Sequence, residues 1–374
     1  MTSRERVRLA LNHKEADRVP VDMWGSASRL DARFYKKLAQ EMNFTELGEL
    51  IRPGTATEYE DYRMSDIFGC DFRHITIGKP QNFKSYTNES GYLIDELGIG
   101  RLLTGDYPTV AFHPLKDADE SALANYKWPN AKDPGRIAGL AERAKQYYEQ
   151  TDCAITATSA SSGQFFDLGQ FMRGAEDFFM DLYINKTFAH NLIEKIEEFL
   201  TELNLYYLEP IAPYVEWVEF TSDFGTQEAP FISPDCFREF FKKPFERMFG
   251  AIKKKFPNMK IFLHSCGAIF DYIPDFIEMG VDVLNPLQPL ANGMDSKKIK
   301  ETFGNDVVLH GGIDIQQALI GNVDDVEKEV KKRLDAFAPG GGYIISTANH
   351  VQPDTPPENF IKMFEFIKKY GKYE

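Results

Sequence analysis

In "KIFLHSCGAIF" an apolar run ends in His264, and Cys266 follows one residue later, before a glycine that frees the chain to turn. Residues i and i+2 of a strand project to the same side, so this imidazole and thiolate can converge on one ion. A nitrogen and sulfur pair completed by oxygen suits zinc, and a catalytic zinc site usually has three protein ligands and an open fourth position. Glu219 ranks first as the third ligand because it alternates with apolar residues in "YVEWVEFTSD"; His350 and Asp223 follow it.

Other polar residues fall where predicted strands end. Asp223, His310 and His350 are the candidate catalytic residues, and Asp22, Trp24, Asn285, Gln288 and Asn349 the candidate substrate contacts; Asp314 belongs to the same census. Each also has an ordinary structural reading. A lone histidine at a strand end commonly packs or hydrogen-bonds, and Asn285 and Gln288, each before a proline, can shape turns. The chain holds 30 Phe, 17 Tyr and 3 Trp, enough for Trp24, Phe165, Phe166 and Phe224 near strand ends either to stack an aryl substrate or to fill core.

These positions need elements to hold them. Short β-branched or apolar runs occur at 19–25, 70–76, 153–161, 214–223, 260–267, 281–288, 306–312 and 341–349, separated by amphipathic helical stretches. Eight strands, each leading to a helix, predict an α/β protein built as a (β/α)8 TIM barrel, with active-site residues at the C-terminal strand ends. Thr2 and Glu5 have the spacing of a helix-capping box in an N-terminal helical segment, and Thr355 and Glu358 have it before the last helix. Pro244 is expected to kink the helix opened by Ser233-Pro234. Residues 77–135 break the rhythm and read as antiparallel strands turning at "NESG" and "LGIG", an excursion inserted beside the mouth of a barrel spanning 1–374.

Composition bounds the partners. A formal charge of −14 disfavours nucleic acid and anionic membrane surfaces, and no apolar run reaches the ~20 residues of a membrane span. The N-terminus has no signal-peptide pattern and the four cysteines form no C-x-x-C pair, so reduced thiols and a cytoplasmic location are expected.

Together "HSCG", "GVDVLNPLQP", "LHGGID" and "TPPEN" resemble the uroporphyrinogen decarboxylase superfamily, which includes cobalamin-dependent methyltransferases. The resemblance implies a (β/α)8 barrel. True decarboxylases of this superfamily hold a polycarboxylate with two arginines spaced R-x-x-x-R around a Gln-Ala-Gly turn. Here "SRLDARF" keeps the spacing in Arg29 and Arg33 but lacks the glycine, and reads as a helix capped at Ser28. The zinc methyltransferases carry His-x-Cys at this strand, matched by His264 and Cys266. In thiol-methylating members a second cysteine stands where this chain has Asn349. One thiolate, a neutral imidazole and an oxygen ligand leave a stronger Lewis acid than two thiolates do, which favours activating a leaving group over activating a thiol. The resemblance therefore implies a zinc-dependent transfer of a methyl group from a small methylated donor, such as a methoxylated aromatic, to Co(I) of a corrinoid. No D-x-H-x-x-G corrinoid motif occurs in these 374 residues, so a separate corrinoid protein is expected as partner. A methyl-cobamide to thiol transferase and a metal-free decarboxylase are the alternatives.

Overall fold

A computed structural model describes residues 1–52, 55–102 and 108–373. Seven parallel strands follow one another in chain order around one curled sheet: β1 (Phe72–Ile75), β2 (Ala154–Ala157), β3 (Trp217–Thr221), β4 (Lys260–His264), β5 (Val283–Asn285), β6 (Val308–Ile313) and β7 (Tyr343–Thr347). The expected eighth strand, 19–25, is reduced to a bridge in which Val21 pairs with Ile345 in parallel. Asp22 N–H donates to the Ile345 carbonyl, Ile345 N–H to Pro20, and Asp71 N–H to Val21, so residues 20–22 link β7 to the start of β1 and close the ring. Two residues keep this segment short. Pro20 has no N–H to add to a ladder, and Trp24, at φ 81°, ends the extended run.

Inside the ring, side chains change character within two positions of each strand. Phe72, Ala154, Trp217, Phe262, Val283, Val308 and Ile344 form one apolar cluster with Val7, Ala10 and Leu11 of the helix α1 (Ser3–Leu11). Two residues further along, the same strands carry His74, Thr156, Glu219, His264, Asn285, His310 and Ser346, all buried. The barrel is thus sealed by an apolar layer at its N-terminal end and is polar above it. α1 has the expected Thr2–Glu5 capping box, and Arg6 ties it down through Asp17 (2.6 Å) and the buried Asp71 (2.7 Å). Trp217 packs on Phe72 and Phe262 with ring centroids 5.0 and 5.5 Å away. Trp217→Ala should therefore lower unfolding free energy by ~3–5 kcal/mol in denaturant titrations, the usual cost of emptying a large aromatic site.

The helices follow their sequence signals with three departures. The expected kink at Pro244 takes the form of a π-helical turn, Arg238–Lys242, between Pro234–Phe237 and Lys243–Lys255, where proline withholds its N–H. The last helix, Pro357–Tyr370, starts one residue later than a Thr355 cap requires, with Pro356 at the cap position, and no side-chain cap forms. The helix after the first barrel segment is Ala32–Glu41, capped by Asp31 rather than Ser28, so Arg29 precedes it. The excursion forms a four-stranded antiparallel sheet, Tyr86–Thr87, Leu93–Ile94, Gly100–Leu102 and Thr109–Phe112, turning where Asn88 and Asp95 side chains accept N–H groups two and four residues on. Its residues 103–107 lie outside the described set. Among the described residues no helix is long and apolar enough to cross a membrane.

Candidate active site

At the C-terminal end of β4 the chain turns against the loop after β3. Gly267, at φ 86°, makes this possible: a Cβ there would lie 2.4 Å from the Gly225 carbonyl. The two loops are stitched by Ser222 N–H to the His264 carbonyl, Phe224 N–H to Ser265 Oγ, and Cys266 N–H to Asp223 Oδ1 at 2.8 Å. Asp223 is thereby brought to the His-x-Cys pair. His264 Nε2 lies 3.1 Å from Cys266 Sγ and 3.5 Å from Asp223 Oδ1, and ligand atoms of all three residues fall within 4.8 Å of one another. Donor atoms around a tetrahedral zinc sit ~3.5 Å apart, so the spacing and the N, S, O donor set fit that ion. Asn349 Nδ2 donates to Cys266 Sγ at 3.1 Å, so the residue standing in place of a second cysteine supports the first. Burial, then the Asp223 carboxylate, pushes the Cys266 thiol well up in the absence of a cation.

Glu219 does not join this group, contrary to the ranking from sequence. It pairs in register with Phe262, whereas His264 is level with Thr221, so Glu219 lies one layer deeper in the barrel. There its carboxylate accepts from Ser26 N–H (2.6 Å) and Trp217 Nε1 (3.1 Å) and stands 3.7 Å from His74 Nδ1. Asp22 is also below the cavity and touches no open space above it. Its two oxygens lie 3.0 Å from His74 Nε2 and 2.9 Å from His310 Nε2. Burial opposes the charge on Asp22, but His74 and His310 outweigh it and hold the carboxyl well below its ordinary range. Burial likewise opposes a charged His74, yet Asp22 and Glu219 on either side raise it to about 10. His74 was not among the sequence candidates.

Above this layer a cavity of about 440 Å³ opens between the loops and is lined by His264, Asp223, Asn349, His350, Arg29 and Arg52 with several serines and threonines. Arg29 is 1% exposed; among the described residues its paired acid is Glu60 at 3.5 Å, and its Nε and Nη1 find no hydrogen-bond partner. Burial, then Arg29, lowers Arg52 to about 10. His350 accepts Arg29 N–H at Nδ1 (3.0 Å), which leaves the proton on Nε2, and burial, Arg52 and Arg29 depress it to about 3, so it is a neutral donor. Arg33, the second arginine of the spaced pair, lies apart and pairs with Asp31 at 3.0 Å.

The remaining candidates separate clearly. Trp24 is wholly buried, edge-on to Tyr35 at 6.0 Å, and Phe165, Phe166 and Phe224 belong to the core, so none of these four rings lines the cavity. Asn285, level with His264 in register, and His310 are buried beside His264 rather than at the cavity wall. Gln288 accepts Gly267 N–H at 3.0 Å and buttresses the loop carrying Cys266 from a neighbouring cleft, and Asp314 caps the turn that follows it in sequence. A wider groove of about 950 Å³ between Trp128 and the helix Lys186–Leu208 contains none of the clustered groups.

The fold is a closed parallel barrel with Asp223, His264 and Cys266 clustered at its C-terminal mouth. The sequence model of the uroporphyrinogen decarboxylase (URO-D) family matches residues 99–370, and the chain belongs to that family. It is 26% identical over 193 residues to uroporphyrinogen decarboxylases of Chlorobium phaeobacteroides and Pelodictyon phaeoclathratiforme, covering 50% of this chain and 51% of each relative. The aligned region thus spans about half the length of those relatives. Among solved structures, a methyltransferase from Methanosarcina mazei superposes with a TM-score of 0.66 over 99% of both chains at 18% identity, a likeness of fold.

Proposed function

We propose that the protein is a zinc-dependent methyltransferase that passes a methyl group from a small, anionic, oxygen-linked donor to Co(I) of a corrinoid on a separate protein. The observation that carries this reading is the Asp223, His264 and Cys266 cluster, of which Asp223 and His264 line the cavity. Zinc held there would supply a Lewis acid for the donor oxygen. Arg29 and Arg52 would seat the anionic end of the donor, which supports a carboxylated substrate over a neutral one. Neutral His350 would direct its Nε2 proton at the departing oxygen, which keeps the electron pair of the broken C–O bond. The open mouth would admit the partner's cobalt in line with the methyl carbon.

The test is loss of Co(I) absorbance on adding carboxylated methoxy compounds together with a corrinoid protein. Turnover should depend on donor, vanish after chelation and return with zinc. Arg52→Ala should raise KM ~10–100-fold for carboxylated donors, the worth of a charged hydrogen bond, and leave neutral donors unaffected. The buried Arg29, whose Nε and Nη1 find no hydrogen-bond partner among the described residues, and the decarboxylase relatives favour one rival, a metal-free decarboxylase. Decarboxylation that persists after chelation and in Cys266→Ala would establish the rival and overturn the methyltransferase reading.

A further inference from the structure

The mechanism above uses His264 and Cys266 but not the buried polar groups that flank His264 in the barrel. Its hydrogen bonds have only one consistent direction. Asn285 Nδ2 lies 2.8 Å from His310 Nδ1 and also faces the His310 carbonyl at 3.5 Å, a group that can only accept. An amide flipped the other way would set its oxygen against that carbonyl, so the nitrogen is fixed on this side. His310 Nδ1 therefore accepts, and its proton resides on Nε2, which donates to Asp22 Oδ2 at 2.9 Å. Asn285 Oδ1 consequently faces His264 Nδ1, and this nitrogen must donate. The lone pair of a neutral His264 is then left on Nε2, the atom nearest Cys266 and Asp223. Asp22 itself is fixed from its other side by His74 Nε2, whose second acceptor is the Met23 carbonyl at 3.0 Å. Asp22, His310 and Asn285 are each at most 3% exposed and line no part of the cavity, so the hydrogen bonds among them are shielded from water.

We propose that Asp22, His310 and Asn285 are positioning residues that fix the tautomer of His264, so that its Nε2 lone pair is presented at the cluster before any cation arrives. A ligating histidine is oriented by the partner of its other nitrogen; here that partner is an amide whose own direction is set by the His310 carbonyl and, through His310 Nε2, by Asp22. The consequence for metal binding rests on the zinc reading, whereas the tautomer does not.

Nitrogen-15 chemical shifts of histidine in the metal-free protein test the two separately, alongside zinc affinity by competition with a chromophoric chelator. Wild type should show His264 protonated at Nδ1. Asn285→Ala should mix the tautomers and weaken zinc ~10–100-fold, and Asn285→Asp, which keeps the acceptor, should restore the Nδ1 proton. Asp22→Asn, of unchanged shape, carries the test should Asn285→Ala not fold: an amide donating to His310 Nε2 should invert His310 and with it His264. A His264 protonated at Nδ1 with unaltered populations in both Asn285→Ala and Asp22→Asn would overturn the proposal. The expected tautomers in a protein that binds no zinc would leave the relay standing and remove the zinc reading instead.

Discussion

Alanine at Asp223, His264 or Cys266 should each strip the protein of zinc, while Glu219→Gln should retain it. The three donors converge from two adjacent strand ends, with His264 Nε2 3.1 Å from the sulfur and 3.5 Å from the carboxylate. Removing one leaves two protein ligands, too few to hold the ion against a competing chelator, and affinity should fall by at least ~100-fold, beyond the loss typical of an outer partner. Activity with any methyl donor should disappear in all three. Glu219 makes the sharper comparison because sequence alone ranks it above Asp223. Its carboxylate is spent on Ser26, Trp217 and His74 one layer down, so glutamine there should weaken the fold rather than empty the site. Metal analysis of purified variants decides the matter: stoichiometric zinc in Asp223→Ala, or zinc missing only from Glu219→Gln, would sink the assignment.

That error shows what the sequence could carry. The strand runs located the barrel wall, because each is a contiguous apolar segment with a helix behind it. The His-x-Cys pair was legible because two side chains on one strand share a side whatever the fold does elsewhere. The place of Asp223 beside that pair was not, since it depends on register between β3 and β4 and on a loop contact allowed by Gly267 and Gly225. A pattern in the sequence did hold the missing layer. Phe72 and His74, Trp217 and Glu219, Phe262 and His264, Val283 and Asn285, and Val308 and His310 repeat an apolar residue followed two places later by a polar one. Read across the strands, that repeat marks a boundary between a sealed base and a polar interior, and it would have singled out His74. The aromatic residues misled for the opposite reason: packing against helices and lining a cavity call for the same residue types, and only burial tells them apart.

His74 and His350 should make opposite contributions to the pH dependence of stability, both fullest near pH 6.5, with the acid limb partly offset by buried Asp167, which is raised to about 7 and stabilises more as pH falls towards 3.8. His74 is raised to about 10 in the folded protein, so its contribution is fully present below its unfolded value near 6.5 and is lost as pH rises through 10. His350 is depressed to about 3, so below about 6.5 the unfolded chain takes up a proton that the native state refuses, and stability drains away towards pH 3. Each limb has a limiting slope of ~1.4 kcal/mol per pH unit for one proton. Asp22→Asn removes the carboxylate that, after burial, acts most strongly on His74, so it should flatten the alkaline limb and, by leaving a buried imidazolium short of a counter-charge, cost ~3–5 kcal/mol at neutral pH. His350→Gln should flatten the acid limb and leave the alkaline one intact. Denaturant midpoints measured from pH 4 to 10 separate the two, because the buried layer under His264 and the cationic wall around His350 titrate in opposite directions; an alkaline limb unchanged in Asp22→Asn would mean that His74 is not the group holding the extra proton.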